Sequence, residues 1–280
     1  MEIISSPKEM QQISKELQTS GKKIALVPTM GCLHEGHLSL LRIARKKADI
    51  VVLSIFVNPI QFGDNEDFSR YPKNMEYDLI LAKTEDVDIV FTPSSEEIYL
   101  LDFETKVVVP KLSNHLCGLS RLDFLEGVAT VITILFHLIN PNIAVFGEKD
   151  YQQLLVVRRL VTDLFFDIEI IGGPIVREAD GLAMSSRNVY LTAEERQLAP
   201  SLYGALQEIS KMIQANIRDV KMLEEKVTPV FFKDSRLRLE YLEFLDATTL
   251  MPVIQIHQPT LIALAAWIGS TRLIDNLVIY

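Results

Sequence analysis

The chain has 280 residues, 48% of them hydrophobic and 23% charged, and a formal net charge of −9. That is globular composition, enough for one large domain or two ordinary ones with a sizeable core. The acidity excludes a chain built to hold polyanionic nucleic acid, although a small basic pocket can still take one nucleotide.

The opening "MEIISSPKEM" has neither a basic head nor an apolar stretch and is not read as a signal peptide. Within it "EIISS" predicts a short strand. Ser6, Pro7 and Glu9 supply an N-cap, a first-turn proline and a capping-box partner, so a helix starts near Pro7. "KIALVPT" is a continuous apolar strand. Residues 35–48 predict a helix with Leu38, Leu41 and Ala44 on one face, and "DIVVLSIFV" a further apolar strand. The alternation continues with helices over 74–84, 127–139 and 151–163 and strands at "DIVFTP", "IAVFG" and "IEIIGG". Apolar strands alternating with amphipathic helices predict an α/β fold, a parallel sheet covered on both faces, with ligands beyond the carboxyl ends of the strands. "VATVITILFHLI" is too short and too interrupted to span a bilayer and reads as a buried helix.

The pattern changes after Gly172-Gly173-Pro174. A loop of mixed polarity runs to Leu191, and Thr192 with Glu195 forms a capping box opening a helix to about residue 215. "RLRLEYLEFLDA", "TLIALAAWI" and "NLVIY" read as strands of a small sheet. The expected division is a larger domain over 1–173 and a smaller α+β domain over 174–280. Two cysteines, Cys32 and Cys117, cannot by themselves build a disulfide framework or a zinc spacing, which suits a reducing cytoplasm.

The stretch "PTMGCLHEGHLSLL", residues 28–41, joins a strand to a helix. The first turn of a helix leaves free N–H groups and a positive dipole end that favour phosphate. His34 and His37 can add donors on the same side, and Gly36 lets a flat group lie against the backbone. An ordinary strand–turn–helix with solvated histidines fits as well. A zinc reading is weaker, because zincin helices space their histidines four apart around a glutamate, and no third ligand is evident here. In "FVNPIQF" Pro59 forces a turn at the strand end, which places Gln61 where such sheets bind ligands or, equally, leaves it a solvated turn amide. "VFGEKDYQQLL" repeats the layout. Gly147 allows close approach, Lys149 can neutralise a phosphate and Asp150 can hold a ribose hydroxyl, while Asp150 as N-cap with Gln153 as its partner explains both without a ligand. In "GLAMSSRN" two serine hydroxyls, backbone N–H groups and Arg187 can clamp phosphates, or form a plain polar loop. All these segments occupy loop positions compatible with one crevice. Neither GxSxG, GxxxxGK[ST] nor GxGxxG occurs, so the residues predict a nucleotide-phosphate site without a covalent nucleophile.

"HEGH" beside "MSSR" resembles the HxGH and KMSKS-type signatures of the nucleotidylyltransferase superfamily. The wider set "PTMGCLHEGHLSLL", "FVNPIQFGDNEDFSRYP", "FGEKDYQQL", "READGLAMSSRNVYL" and "STRLIDN", in this order from about residue 22 to the end, resembles the pantothenate synthetase (pantoate–β-alanine ligase) family. The resemblance implies a Rossmann-like N-terminal domain that binds ATP and pantoate and a smaller C-terminal lid, in a cytoplasmic homodimer using Mg²⁺. The implied reaction has two steps. The carboxylate of pantoate attacks the α-phosphorus of ATP, giving pantoyl adenylate and pyrophosphate. The amine of β-alanine then displaces AMP to give pantothenate.

Carried over by position, Met30, Gly31, Cys32, Leu33, His34, Glu35, Gly36 and His37 would hold ATP, with both histidines near the phosphates and His37 matching the usual proton donor. Gly147, Glu148, Lys149, Asp150, Val176, Met184, Ser185, Ser186 and Arg187 would complete the ATP site. Gln61 would contact pantoate and β-alanine, and Gln153 pantoate. No residue is assigned to the metal. The family's "RPxHFxGV" is "RLDFLEGV" here, with Phe124 in place of a histidine and Ile134 in place of a lysine, while Arg121, Gly127 and Val128 remain.

Joining a carboxylate to a triphosphate requires screening of two anions, for which Lys149, Arg187, the histidines, the helix end and Mg²⁺ are the candidates. A tight arginine pair would stabilise the attacking carboxylate in its ground state, whereas the neutral amides of Gln61 and Gln153 can orient it with less penalty. Other readings of the same motifs are a plain nucleotidylyltransferase and a non-catalytic nucleotide sensor. A synthetase fragment acting on tRNA fits poorly with a short, acidic chain that shows no anticodon-binding module or basic face.

Overall fold

The computed structural model describes every residue except Asp64, Asn65, Leu122, His257 and Gln258. Asp64 and Asn65 in "FVNPIQFGDNEDFSRYP" and Leu122 in "RLDFLEGV" therefore lie outside the described residues. The chain forms two compact units: Met1–Glu148 with Gln152–Pro174, and Lys149–Tyr151 with Ile175–Tyr280.

The first unit contains β1 (Glu2–Ile4), α1 (Pro7–Thr19), β2 (Ile24–Thr29), α2 (Glu35–Arg45), β3 (Ile50–Ile55), α3 (Met75–Thr84) and β4 (Ile89–Phe91). The short α4 (Ser95–Ile98) and α5 (Pro110–Ser113) follow, then α6 (Phe124–Ile139), β5 (Ile143–Gly147), α7 (Tyr151–Asp163) and β6 (Glu169–Gly173). The strands form one parallel sheet ordered β1-β4-β3-β2-β5-β6. Ala25, Val27, Val51, Leu53 and Val145 form one cluster with Leu38, Leu41 and Ala44 of α2. Alternate strand residues face the opposite side, and Leu26, Val52 and Ala144 are also fully buried, so both faces are covered. The continuous apolar runs of the sequence follow from this double burial.

Local signals set several boundaries. Ser6 caps α1, its hydroxyl accepting from Glu9 N at 3.4 Å. Gly173 lets α2 lie close on β6, since a Cβ there would sit 2.2 Å from Leu40 Cδ2. β2 pairs with β3 on one side and β5 on the other, so the strand order turns between β2 and β5. The loops leaving the carboxyl ends of these two strands are Met30–His34 and the turn at Gly147, the position where open α/β sheets bind ligands.

The second unit contains α8 (Ala193–Leu198), α9 (Ser201–Gln214), α10 (Val220–Phe231), β7 (Leu237–Asp246), β8 (Thr260–Ile268) and β9 (Thr271–Ile279). The strands form an antiparallel sheet ordered β7-β8-β9. Leu206, Ile209, Leu223, Ile262 and Leu264 are fully buried in one cluster between helices and sheet. The helix expected from Thr192 to about residue 215 is in fact two. Thr192 caps α8 with Glu195 as its box partner, but Pro200 has no N–H to continue the ladder, and α9 starts afresh at Ser201. α10, unread in the sequence, is capped by Asp219, whose side chain accepts from Met222 N. α6 begins three residues earlier than expected, at Phe124, and β9 reaches back to Thr271.

Candidate active site

In the first unit the start of α2 is capped by its own two histidines. His34 is the N-cap of α2 and its Nδ1 accepts from Gly36 N at 3.1 Å. His37 Nδ1 accepts from His34 N at 3.3 Å, closing a capping box made of two imidazoles. The ring centroids are 4.1 Å apart. A neutral imidazole accepting at Nδ1 carries its proton at Nε2. Each ring therefore caps the helix with one nitrogen and holds an N–H donor on the other. Glu35 in the same run pairs with Arg42, which also donates to Glu85 through Nε at 2.9 Å.

The preceding loop is held by a residue that no motif singled out. Asp78 on α3 is 1% exposed, and its two oxygens accept from Cys32 N at 2.8 Å and Leu33 N at 2.7 Å. Burial pushes this carboxyl above its ordinary value, against the opposing pull of the two amides. The loop turns through Gly31 at φ 79° and Cys32 at φ 51°. A Cβ on Gly31 would lie 2.9 Å from Asp78 Oδ2, so glycine serves both the turn and the clamp.

Gln61 ends a 3-10 turn, Pro59–Gln61, after β3, and is 7% exposed. Its Nε2 donates to Met30 Sδ at 2.9 Å, so the first residue of the candidate ATP run and the candidate pantoate amide are in contact. Its Oε1 accepts from Asn58 Nδ2 at 3.0 Å. α6 packs directly on this turn: a Cβ at Gly127 would lie 2.5 Å from Ile60 O and 2.7 Å from Gln61 N. Arg121 donates through Nε and Nη2 to Glu66, both at 2.6 Å, and through Nη2 to Gln61 O at 3.4 Å. Its guanidinium lies 3.8 Å from the centroid of Phe124, the residue that replaces a histidine, so the ring serves as a stacking surface for the ion-paired arginine. Gly147 ends β5, and a Cβ there would meet only Leu40 Cδ1, at 3.9 Å. Gln153 on α7 is half-buried, while its neighbour Gln152 is buried and structural, donating to Leu112 O at 2.8 Å and His115 O at 2.6 Å.

In the second unit Lys149 and Asp150 lie in a 3-10 turn, Glu148–Asp150, that runs straight into α7, and Lys149 Nζ is 3.9 Å from Asp150 Oδ1. Asn276 Nδ2 donates to Lys149 O at 2.9 Å and the Tyr151 hydroxyl to Ala247 O at 3.1 Å, fixing this turn to the unit. Val176 and Met184 face each other across a narrow loop, Met184 N donating to Val176 O at 3.0 Å. Ser185 accepts from Arg187 N at 3.3 Å and caps the 3-10 turn Ser186–Tyr190. The loop is tied down by Arg177, which donates to both oxygens of Asp275 at 2.6 and 2.9 Å, and by Asn188, which donates to Glu178 at 3.0 Å. Arg196 adds bonds to Asp180 and Glu178 and holds the Asp180 carboxyl below its ordinary range.

Among the described residues no group of three or more His, Cys, Asp or Glu could hold a metal ion. No helix among them is long and apolar enough to cross a membrane.

Residues 2–278 match the family model described as pantoate-beta-alanine ligase. A pantothenate synthetase of Thermotoga petrophila is 50% identical over 279 residues, covering 100% of both chains. One from Caldicellulosiruptor bescii is 48% identical, over 100% of this chain and 99% of its own. Among solved structures, pantothenate synthetase from Thermus thermophilus matches with a TM-score of 0.93 at 41% identity over 100% of both chains. Pantoate-beta-alanine ligase from Francisella tularensis, complexed with beta-gamma ATP and beta-alanine, matches with a TM-score of 0.83 at 33% identity, over 99% of this chain and 97% of that one. A family match over nearly the whole chain, with relatives half identical from end to end, establishes that the chain belongs to the pantoate-beta-alanine ligase family.

Proposed function

We infer that this chain is the ligase that joins pantoate to β-alanine with ATP, and that its residues divide the work by charge. In the first step a pantoate carboxylate oxygen bonds to the α-phosphorus and pyrophosphate leaves. In the second the amine of β-alanine bonds to the acyl carbon, loses a proton, and AMP leaves with the acyl–oxygen electron pair. The structural observation that supports this reading most is the imidazole capping box at the start of α2. Two rings that spend Nδ1 on the helix each carry an Nε2–H donor, 4.1 Å apart between centroids at the positive helix end, an arrangement suited to phosphate oxygens.

We assign Met30–His37, Gly147–Asp150, Val176 and Met184–Arg187 to ATP. His34, His37, Lys149 and Arg187 meet the charge that grows on the phosphates, with His37 placed to protonate a phosphate oxygen. Gln61 and Gln153 take pantoate, and Gln61 also β-alanine. The amides hold the acid without neutralising it, so the carboxylate keeps its nucleophilicity. Mg²⁺ is part of the proposal as a counter-ion to the triphosphate. Among the described residues no group of three or more His, Cys, Asp or Glu forms a resident cage for it, and both oxygens of Asp78 accept backbone amides. A cytoplasmic homodimer completes the proposal, and sedimentation would distinguish it from a single 31.7 kDa chain.

The test is a staged assay on the purified protein. ATP with pantoate should release pyrophosphate, and AMP should appear only when β-alanine is added. A nucleotidylyltransferase would leave the nucleotide in its product, and a sensor would release neither, and either outcome would overturn the reading.

A further inference from the structure

Gln61 carries a choice that its own chemistry does not make. A carboxamide donates at one end and accepts at the other, and only the donating end suits a carboxylate. The groups behind Gln61 make the choice. Asn58, 1% exposed, directs Nδ2 to two acceptors: Gly127 O at 3.1 Å and Gln61 Oε1 at 3.0 Å. A backbone carbonyl only accepts, so the NH₂ of Asn58 must face Gly127 and its Oδ1 must face the other way. There the Tyr99 hydroxyl donates to Oδ1 at 2.7 Å. With Oε1 of Gln61 committed to Asn58, the NH₂ end is turned away from it, to the Met30 thioether at 2.9 Å. A thioether is a weak acceptor and is readily exchanged for a carboxylate oxygen.

Tyr99 is well seated for this task. Its ring lies 4.9 Å from Phe103 and 6.2 Å from Phe56 between centroids, and burial raises its hydroxyl above the ordinary value, so it remains a donor. We propose that Tyr99 is a positioning residue that, through Asn58, locks the Gln61 amide with its NH₂ toward the carboxylate substrate. The proposal rests on the assignment of Gln61 to pantoate made above.

Tyr99→Phe keeps the ring and removes only the hydroxyl. It should raise KM for pantoate about fivefold and leave KM for ATP within about twofold, the loss expected of one buried hydrogen bond. In a Gln61→Ala background the same substitution should add nothing, because the group it positions is gone. Where Gln61→Ala turns over too slowly, titration of pantoate onto protein saturated with a non-hydrolysable ATP analogue gives the same ratio. An unchanged pantoate KM in Tyr99→Phe overturns the proposal. So does a Tyr99→Phe effect that persists in full without Gln61, which would mark a purely structural role. If Gln61→Ala itself leaves pantoate binding untouched, the assignment of Gln61 fails instead, and the two failures are thereby distinguished.

Discussion

His37 and Lys149 illustrate how little a residue type says until its partners are known. An imidazole three residues into a helix reads equally as solvated or as phosphate-binding. The finding that His37 caps the helix through Nδ1 gives its other nitrogen a fixed direction and a proton. His37→Ala and Lys149→Ala should each slow adenylate formation by about 10²–10³, the cost of removing one donor aimed at transition-state charge, with KM for ATP little changed. Burst measurements of pyrophosphate release would show it. A rise in KM for ATP alone would instead place both residues in ground-state binding. Asp78 had no legible signal: it lies 45 residues from the loop it holds, inside an ordinary helical pattern. Asp78→Ala should cost about 2 kcal/mol or more, since two amides lose their acceptor. Its folded carboxyl is raised above 3.8, so its stabilising contribution is complete below that value and is lost as pH rises through the folded value. The unfolding free energy of wild type minus that of Asp78→Asn should therefore fall with rising pH, as measured by urea titrations in series.

At the scale of elements, the parallel sheet was legible because doubly buried strands leave nothing but apolar residues to read. β2, β3 and β5 are buried along most of their lengths. The Ser6 N-cap of α1 and the capping box of α8 were legible for a related reason: their signals are local and chemical. Pro200 divides one expected helix into two, because the Thr192 box marks a start and the amphipathic pattern runs on through the proline. α10 lacked a clear end, since Pro229 lies inside its last turn. Of the Gln61 turn, Pro59 announced the bend, but neither Asn58 nor Tyr99 could be linked to it without the fold. α6 meets that turn at Gly127, where an added methyl would strike backbone at 2.5 Å. Gly127→Ala should therefore destabilise by about 1–3 kcal/mol, the usual cost of overpacking, and raise KM for pantoate more than KM for ATP. Equal effects on both substrates would show that the turn does not serve pantoate in particular.

Taken as a whole, the molecule distributes its candidate residues over two units with different foundations. The first holds the imidazoles and Gln61 on loops at the carboxyl ends of a parallel sheet. The second holds Lys149 and Arg187 on loops pinned to an antiparallel sheet by hydrogen bonds and ion pairs. The Arg177–Asp275 pair illustrates the second case, with the Asp275 side chain only 1% exposed. Arg177→Ala should cost about 3–5 kcal/mol by stranding that carboxylate, and adding Asp275→Ala should restore part of it. Thermal unfolding of the single and double variants measures the difference. The central claim is that an uncharged amide aims the acid while cations attend the phosphates. Pantoate-dependent exchange of labelled pyrophosphate into ATP by Gln61→Ala tests it most directly. The pantoate requirement should rise at least about tenfold with that for ATP unchanged, as for the loss of a contact to a charged group. Exchange with wild-type dependence on pantoate would contradict it.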